Sequence, residues 1–304
     1  MNPIWTIKKI LLWTQEYLSN QKVTESPSLD AQILLAHTLN VDKVYLFTHY
    51  DKPLSPEETK HYKELIKRRL KGEPIAYIVG FKNWYGLDIK VTTDVLIPRP
   101  ETETLIDISI AMLQTLDHPK RVYDLFTGSG CIGLAIAKKY PDLEIISVDK
   151  SSKALEIARE NAAHLNLNHI IFEEKDLSLV ESYDELSKKY GKADLVLSNP
   201  PYLSMEEWKH ISLGIQEYEP YEALVSGELG TELSRTLLDQ KEKILDSGFL
   251  LMETSLTQLQ SLKLDKISQF YWQSVGNLPI GYSLIEDMSY SPRFLCWRTF
   301  AEQG

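Results

Sequence analysis

The sequence predicts an α/β protein with a doubly wound, mostly parallel sheet, preceded by a helical segment. Three observations carry this expectation. From Arg121 onward, short apolar strands alternate with segments of helical period, the pattern of a parallel sheet covered by helices on both faces. A glycine-rich turn at residues 124–133 separates the first of these strands from the first helix. Residues 1–80, by contrast, carry helical periodicity alone.

Composition sets the frame. The chain has 304 residues, 43% of them hydrophobic and 25% charged, which suits about two domains with buried cores. Lys and Arg number 33 against 43 Asp and Glu, a net charge of −10. A protein that grips a nucleic-acid backbone sets cations against phosphates, so no direct nucleic-acid partner is expected. No apolar run approaches the roughly 18 residues of a membrane span. Residues 1–18 place Lys8 and Lys9 inside the apolar stretch and lack a small-residue cleavage site, so no signal peptide is expected. Cys131 and Cys296 are the two cysteines, too few for a disulfide framework or a cysteine-based metal site. A cytoplasmic monomer is the resulting expectation.

In chain order, Ile4, Ile7, Leu11 and Leu18 share one face of a first helix, and Ser28-Leu-Asp30 opens a second that runs to Leu39. Ser55, Pro56 and Glu58 form a helix start, with Ser as N-cap, Pro at the first position and Glu at the third. That helix runs through Tyr62, Leu65, Ile66 and Arg69 and stops near Gly72 and Pro74. Residues 1–80 are therefore a helical-bundle domain. Residues 81–100 are a linker in which 84–91 and 95–97 are expected to pair as a hairpin. The rigid Pro98-Arg-Pro100 turn then leads into a helix near Glu101. Residues 101–304 form the α/β domain, with strands expected at 121–126, 143–149, 170–172, 193–198 and 248–253. Its helices are expected at 131–139, 151–165, 183–189 and 228–245. Segments near Tyr271-Trp272 and 294–298 would add an antiparallel edge.

Two motifs carry chemistry. Gly128, Gly130 and Gly133 have the G-x-G-x-x-G spacing at a strand-to-helix turn, where glycine lets backbone approach a ligand. Asp149 ends the next strand, where a carboxylate can accept both hydroxyls of a ribose. An adenosine-containing cofactor is the functional reading; the alternatives are that glycine suits any tight turn and that Asp149 only caps Ser151. This pattern does not separate a nicotinamide dinucleotide from S-adenosylmethionine. The second motif does: Asn199-Pro-Pro-Tyr202 follows the strand at 193–198, at the strand end where open α/β sheets bind ligands. Two prolines fix the backbone and bring no N–H of their own. The Asn199 oxygen and the Pro200 carbonyl can then accept the two hydrogens of a planar NH2 group, with Tyr202 as a flat packing face. An amide or an exocyclic base amine fits, held against a methyl donor.

With these residues in place, the chain resembles the release-factor glutamine methyltransferases, HemK-type class I enzymes that use S-adenosylmethionine. The resemblance spans nearly the whole sequence. Arg68-Arg-Leu-Lys-Gly-Glu-Pro-Ile-Ala-Tyr77 resembles the family's signature at the end of the helical domain, and Leu96-Ile-Pro-Arg-Pro-Glu-Thr-Glu103 its linker motif. Thr127-Gly-Ser-Gly130, Asp149 and Asn199-Pro-Pro-Tyr202 match its cofactor and substrate motifs in order. The resemblance implies methyl transfer to the glutamine amide nitrogen in the Gly-Gly-Gln loop of peptide-chain release factors. It implies that Phe126, Thr127, Gly128, Ser129 and Gly130 cradle the cofactor and Asp149 holds its ribose. Asp176 and Leu177 would lie near the adenine, and Asn199 would touch both cofactor and substrate. Asn199, Pro200, Pro201 and Tyr202 would bind the glutamine amide, Asn199, Pro200 and Tyr202 as the catalytic set.

The chain departs from the family at Phe126, usually glycine, and at Leu177, an adenine-stacking aromatic in some relatives. These put cofactor affinity, more than reaction class, at stake. An adenine-N6 nucleic-acid methyltransferase shares the Asn-Pro-Pro-Tyr turn, but the charge of −10 argues against it. A nicotinamide-dependent oxidoreductase leaves that turn without a role. A non-catalytic binding protein on a decayed methyltransferase fold is suggested only by Phe126. The seven histidines show no zinc spacing, so no metal is expected. Arg99 is a candidate organiser of the cofactor loop, Glu101 and Glu103 suit a helix N-terminus, and Arg68, Arg69 and Lys71 suit a solvated helix face.

Overall fold

The structure, a computed structural model, describes residues 5–264, 267–271, 278–287, 289 and 291–299. Its chain divides into two compact units, residues 1–81 with 212–218 and residues 82–211 with 219–304.

The first unit begins with helices α1 (Ile7–Gln21), α2 (Pro27–Leu39), α3 (Lys43–Thr48), α4 (Pro56–Leu70) and α5 (Ile75–Val79). Helix α1 buries Ile7, Ile10, Thr14 and Leu18, so the inward stripe steps by three and four residues, as a 3.6-residue period requires. Ile10 thus takes the core place expected of Leu11, which is only partly buried; Ile4 lies outside the described residues. The core is closed by Leu34 and Leu35 from α2 and by Tyr62, Leu65 and Ile66 from α4. Helix α4 starts with the expected capping box: Ser55 Oγ accepts from the Glu58 N–H at 3.0 Å, and Glu58 accepts from the Ser55 N–H at 2.7 Å. Its far end differs from a solvated face. Arg69 Nε donates to the buried Asp30 at 2.8 Å, and Arg68 pairs with Glu73, so the basic run ties α4 to α2 and to the turn beyond it.

A two-stranded sheet follows, β1 (Phe81–Trp84) against β2 (Leu87–Lys90). Tyr85 and Gly86 both have positive φ, 48° and 69°, the geometry of a two-residue hairpin turn. The expected pairing of 84–91 with 95–97 is therefore corrected. The chain reverses at Tyr85, and 95–97 is a non-strand segment in which the Val95 N–H bonds back to Thr92.

The second unit continues through α6 (Glu101–Leu113), β3 (Arg121–Leu125), α7 (Cys131–Lys139), β4 (Glu144–Asp149), α8 (Ser152–His164), β5 (Ile171–Glu174), α9 (Val180–Tyr190) and β6 (Ala193–Ser198). Helix α10 (Met205–His210) precedes α11 (Leu213–Tyr218), which belongs to the first unit. Then come α12 (Glu232–Ile244), β7 (Leu245–Glu253), α13 (Leu256–Leu262), β8 (Ser268–Tyr271), β9 (Gly281–Glu286) and β10 (Pro292–Arg298). The eight strands run in the order β5-β4-β3-β6-β7-β10-β9-β8. From β5 to β7 every pairing is parallel, and Tyr123, Leu125, Ile146, Val148, Val196 and Leu250 fill one core of this sheet.

The fold class is as the alternation predicts. The order of succession reverses between β3 and β6, and such a switch point opens a crevice at the strands' carboxyl ends. The tail departs from expectation in two respects, the first being β9, at residues where no strand is expected from the sequence, and the second the strand order. Strand β10 is antiparallel but internal, lying between β7 and β9, while β8 takes the edge, parallel to β9. Trp272 lies outside the described residues.

Candidate active site

The crevice at the β3/β6 switch point holds a cavity of about 250 Å3. Its walls come from the turn after β3 (Phe126 to Ser129), from Asp149, from Asp176 and Leu177, and from Asn199 and Pro201. Thr102 and Arg99 close another side, and Tyr221 and Glu222 a third. Of the residues expected to bind cofactor or substrate, Gly130, Pro200 and Tyr202 do not contribute to this wall, nor do Gly133, Glu101 and Glu103. Among the described residues no cluster could hold a metal ion, and no helix is long and apolar enough to cross a membrane.

The glycine turn is built around a buried carboxylate. Asp124 Oδ2 accepts from the Thr127 hydroxyl at 2.5 Å, the Gly133 N–H at 3.0 Å and the Ser147 hydroxyl at 3.3 Å. Complete burial pushes Asp124 up to about 6 despite these donors. Above it, Phe126 sits at φ 61° and Gly128 at φ 54°, the left-handed conformation that favours glycine. Phe126 adopts the backbone that a glycine would supply, and its half-buried ring packs on the sheet core. The side chain therefore becomes wall and does not redirect the turn. At Gly128 an added Cβ would meet nothing within 4 Å, so this backbone faces open space. The Gly128 N–H donates to Asp149 Oδ2 at 2.9 Å, and the Ser151 N–H donates to Oδ1 at 3.0 Å. Burial raises Asp149 above the ordinary carboxylate range, with those N–H groups and Lys150 opposing. Asp176 accepts from the Ser178 N–H at 2.9 Å. Burial works to raise it, but Ser178 and Lys150 prevail and hold it below the ordinary range. Leu177 is buried in the core and shows the cavity an aliphatic surface.

Across the cavity, Asn199 Nδ2 donates to Thr102 Oγ1 at 3.3 Å, and Thr102 Oγ1 donates to Glu253 Oε2 at 2.7 Å. Glu253 ends β7 and is 1% exposed; burial pushes it up to about 7, against the pull of the Thr102 hydroxyl and Arg293. Tyr202 feels this group too: burial pushes its phenol up to about 12, and Glu253 adds to the rise. The turn carrying Asn199 is pinned downstream, where the Tyr202 and Leu203 N–H groups both donate to Leu224 O at 3.1 and 2.8 Å. Gly230 makes room for it. With φ 73°, it lies where a Cβ would stand 2.4 Å from the Tyr202 carbonyl oxygen. Arg99, the candidate organiser of the cofactor loop, engages a different segment. Its Nη2 donates to the buried Glu219 at 2.7 Å, and Glu219 also accepts from the Ile97 N–H. Glu103 accepts from the Tyr85 N–H at 3.2 Å.

Comparison with known proteins identifies the family. The family model described as the PrmC N-terminal domain matches residues 9–80, and the methyltransferase small domain matches residues 103–213. The release factor glutamine methyltransferase of Rhodopirellula baltica is 38% identical over 256 residues, 83% of this chain and 84% of that protein. Proteins of the same description from Geobacter sulfurreducens and Escherichia coli are 35% and 33% identical, covering 85% and 83% of this chain and 87% of each relative. The chain belongs to the release factor glutamine methyltransferase family.

Within this methyltransferase, sequence reasoning missed three groups that shape the site: Thr102, Glu219 and Glu253. Thr102 lies inside the linker motif without any local hint of its partner. Glu253 carried a readable signal, since a lone carboxylate ending a buried parallel strand is the feature that drew attention to Asp149. Cys131 also faces the cavity, but burial pushes its thiol up to about 12, so it stands there as a neutral group.

Proposed function

We propose that this enzyme transfers a methyl group from S-adenosylmethionine to the side-chain amide nitrogen of the glutamine in the Gly-Gly-Gln loop of peptide-chain release factors. The residues present suit the cofactor. A carboxylate has about four acceptor sites, and two on Asp149 are taken by the Gly128 and Ser151 N–H groups. The remainder can accept ribose hydroxyls. The uncovered backbone at Gly128 gives close approach, Asp176 can accept from an adenine amino group, and Phe126 and Leu177 offer apolar surface.

The cofactor supplies a methyl carbon on a sulfonium centre, which leaves as a neutral thioether. The protein's part is to hold a weak nucleophile in line. The Asn199 Oδ1, at the cavity wall, accepts one N–H group of the glutamine amide and draws electron density toward its nitrogen; the Pro200 carbonyl, adjacent in the chain but outside that wall, is the candidate acceptor for the other. With the cofactor bound, these residues would hold the amide nitrogen in line with the methyl carbon, so that a nitrogen–methyl bond could replace the sulfur–methyl bond and one amide proton could pass to solvent. Positioning and polarisation of this kind are each capable of several kcal/mol of barrier reduction, roughly, without a strong base. Tyr202 stiffens the turn from outside the cavity wall.

The single observation that carries the reading is an Asn199 carboxamide at the cavity wall, tethered by its nitrogen to Thr102. Incubation of a release factor with enzyme and S-adenosylmethionine should add one methyl to the Gly-Gly-Gln glutamine, detected by mass spectrometry. Asn199→Ala should lower kcat by about 10²-fold or more while calorimetry still finds the cofactor bound. Methylation of a nucleic acid in place of the release factor would replace this reading with the adenine-amine one.

A further inference from the structure

Resting on that reading, we propose that Glu253, acting through the Thr102 hydroxyl, is the positioning residue that fixes which way round the Asn199 carboxamide presents itself to the substrate amide. The argument is one of hydrogen-bond polarity. An ionised carboxylate only accepts, so the Thr102 hydroxyl, 2.7 Å away, must give its single proton to Glu253. What Thr102 then offers Asn199 is a lone pair. Only the NH2 end of the carboxamide can meet a lone pair, which is the 3.3 Å contact observed. The Asn199 oxygen is thereby turned away from Thr102 and becomes the acceptor for the incoming amide. Protonation of Glu253 removes this constraint. The carboxylic acid can donate to Thr102, and the threonine proton is released toward Asn199, where it favours the carboxamide oxygen. In that flipped state Asn199 shows the substrate an NH2 group, which repels the hydrogens it should bind.

The relay spans three elements: Thr102 in the first turn of α6, Asn199 after β6 and Glu253 at the end of β7. The charged and titratable groups acting on Glu253 are Arg293 on β10, Arg99 before α6 and Glu101 on it. Glu253 in turn acts on Tyr202 after β6 and on Cys131 in α7. Burial outweighs the two arginines and sets Glu253 at about 7, so the relay switches near neutral pH. Asp124, at about 6, lies beneath the cofactor turn and would be felt in cofactor affinity instead.

The test has two arms. In the first, kcat on a release factor is followed from pH 6 to 8.5 with cofactor saturating. Wild type should show an acid limb near pH 7, falling about tenfold at pH 6. Glu253→Gln, whose side chain cannot ionise, should be flat over that range. Thr102→Val should lose at least about tenfold in kcat with the cofactor Kd unchanged, and Thr102→Ser should restore it. A limb that persists in Glu253→Gln overturns the proposal, as does full activity in Thr102→Val. The second arm needs no substrate. The Asn199 side-chain NH2 resonance, assigned by its loss in Asn199→Asp, should titrate near pH 7 in wild type and not in Glu253→Gln. A resonance insensitive to pH overturns the relay even if release factors are methylated. Titration without methylation of a release factor upholds the relay and overturns the substrate reading.

Discussion

Phe126 shows how one residue can break a local rule without breaking the site. A non-glycine residue in the left-handed region costs about 1–2 kcal/mol, and half-burying a phenylalanine ring returns about 1–1.5 kcal/mol. These magnitudes nearly cancel. Phe126→Gly should therefore change global stability by less than about 1 kcal/mol, measured by chemical denaturation. The ring also forms cavity wall, so the cofactor Kd should rise roughly fivefold, about 1 kcal/mol, by calorimetry. A loss of stability well beyond this range would mean that the ring is mainly a core residue. Asn199 could be found from sequence because its neighbours are two prolines after a strand, a local and rigid signal. Glu253 could not be assigned its role in the same way, because its hydrogen-bond partner Thr102 lies 151 residues away.

At the scale of elements, the Asn-Pro-Pro-Tyr turn depends on a segment that sequence reading passed over. Backbone bonds from Tyr202 and Leu203 to Leu224, and from Ser226 to Leu203, clamp the turn, and Gly230 packs against its carbonyl. Gly230→Ala combines a positive φ with a backbone clash. It should cost about 2–4 kcal/mol and lower kcat more than it weakens cofactor binding, since the glycine turn after β3 is untouched. An unchanged kcat in a folded Gly230→Ala variant would show that the clamp is not needed for turnover. The elements themselves were largely legible. The box at Ser55 and Glu58, the alternation after Arg121 and the turn at Gly128 are all written in short-range pattern. The β1–β2 hairpin was misjudged because its reversal uses Tyr85 in a left-handed conformation, where glycine or asparagine would have announced it. Strand order was not legible in the tail, because nothing local in residues 292–298 says which neighbours they will join.

For the whole molecule, burial raises three carboxyl groups of the site, Asp149 together with Asp124 at about 6 and Glu253 at about 7, and these set a pH signature. An acid raised above its unfolded value gives stability that is complete below the unfolded pKa, near 4, and lost as pH climbs through the folded one. Stability should thus decline between about pH 4 and 7 on account of these groups, with Glu253 contributing on the order of 3 kcal/mol. Glu253→Gln should be less sensitive, so its midpoint relative to wild type should rise from pH 5 to pH 8 in thermal unfolding. A constant difference across that range would show that Glu253 is ionised throughout. The placement of β10 has a temporal consequence as well. Glu253 is paired across the ladder with Phe294, and the strand bearing Phe294 emerges from the ribosome after β7, β8 and β9. Throughout synthesis of the intervening chain, one edge of β7 stands open, and the carboxylate that orients Asn199 lacks its wall. On the proposed reading, the surfaces at β3 and β4 that would hold the donor can form early in translation, whereas the wall around Glu253 is completed only when that late strand joins β7 within the sheet.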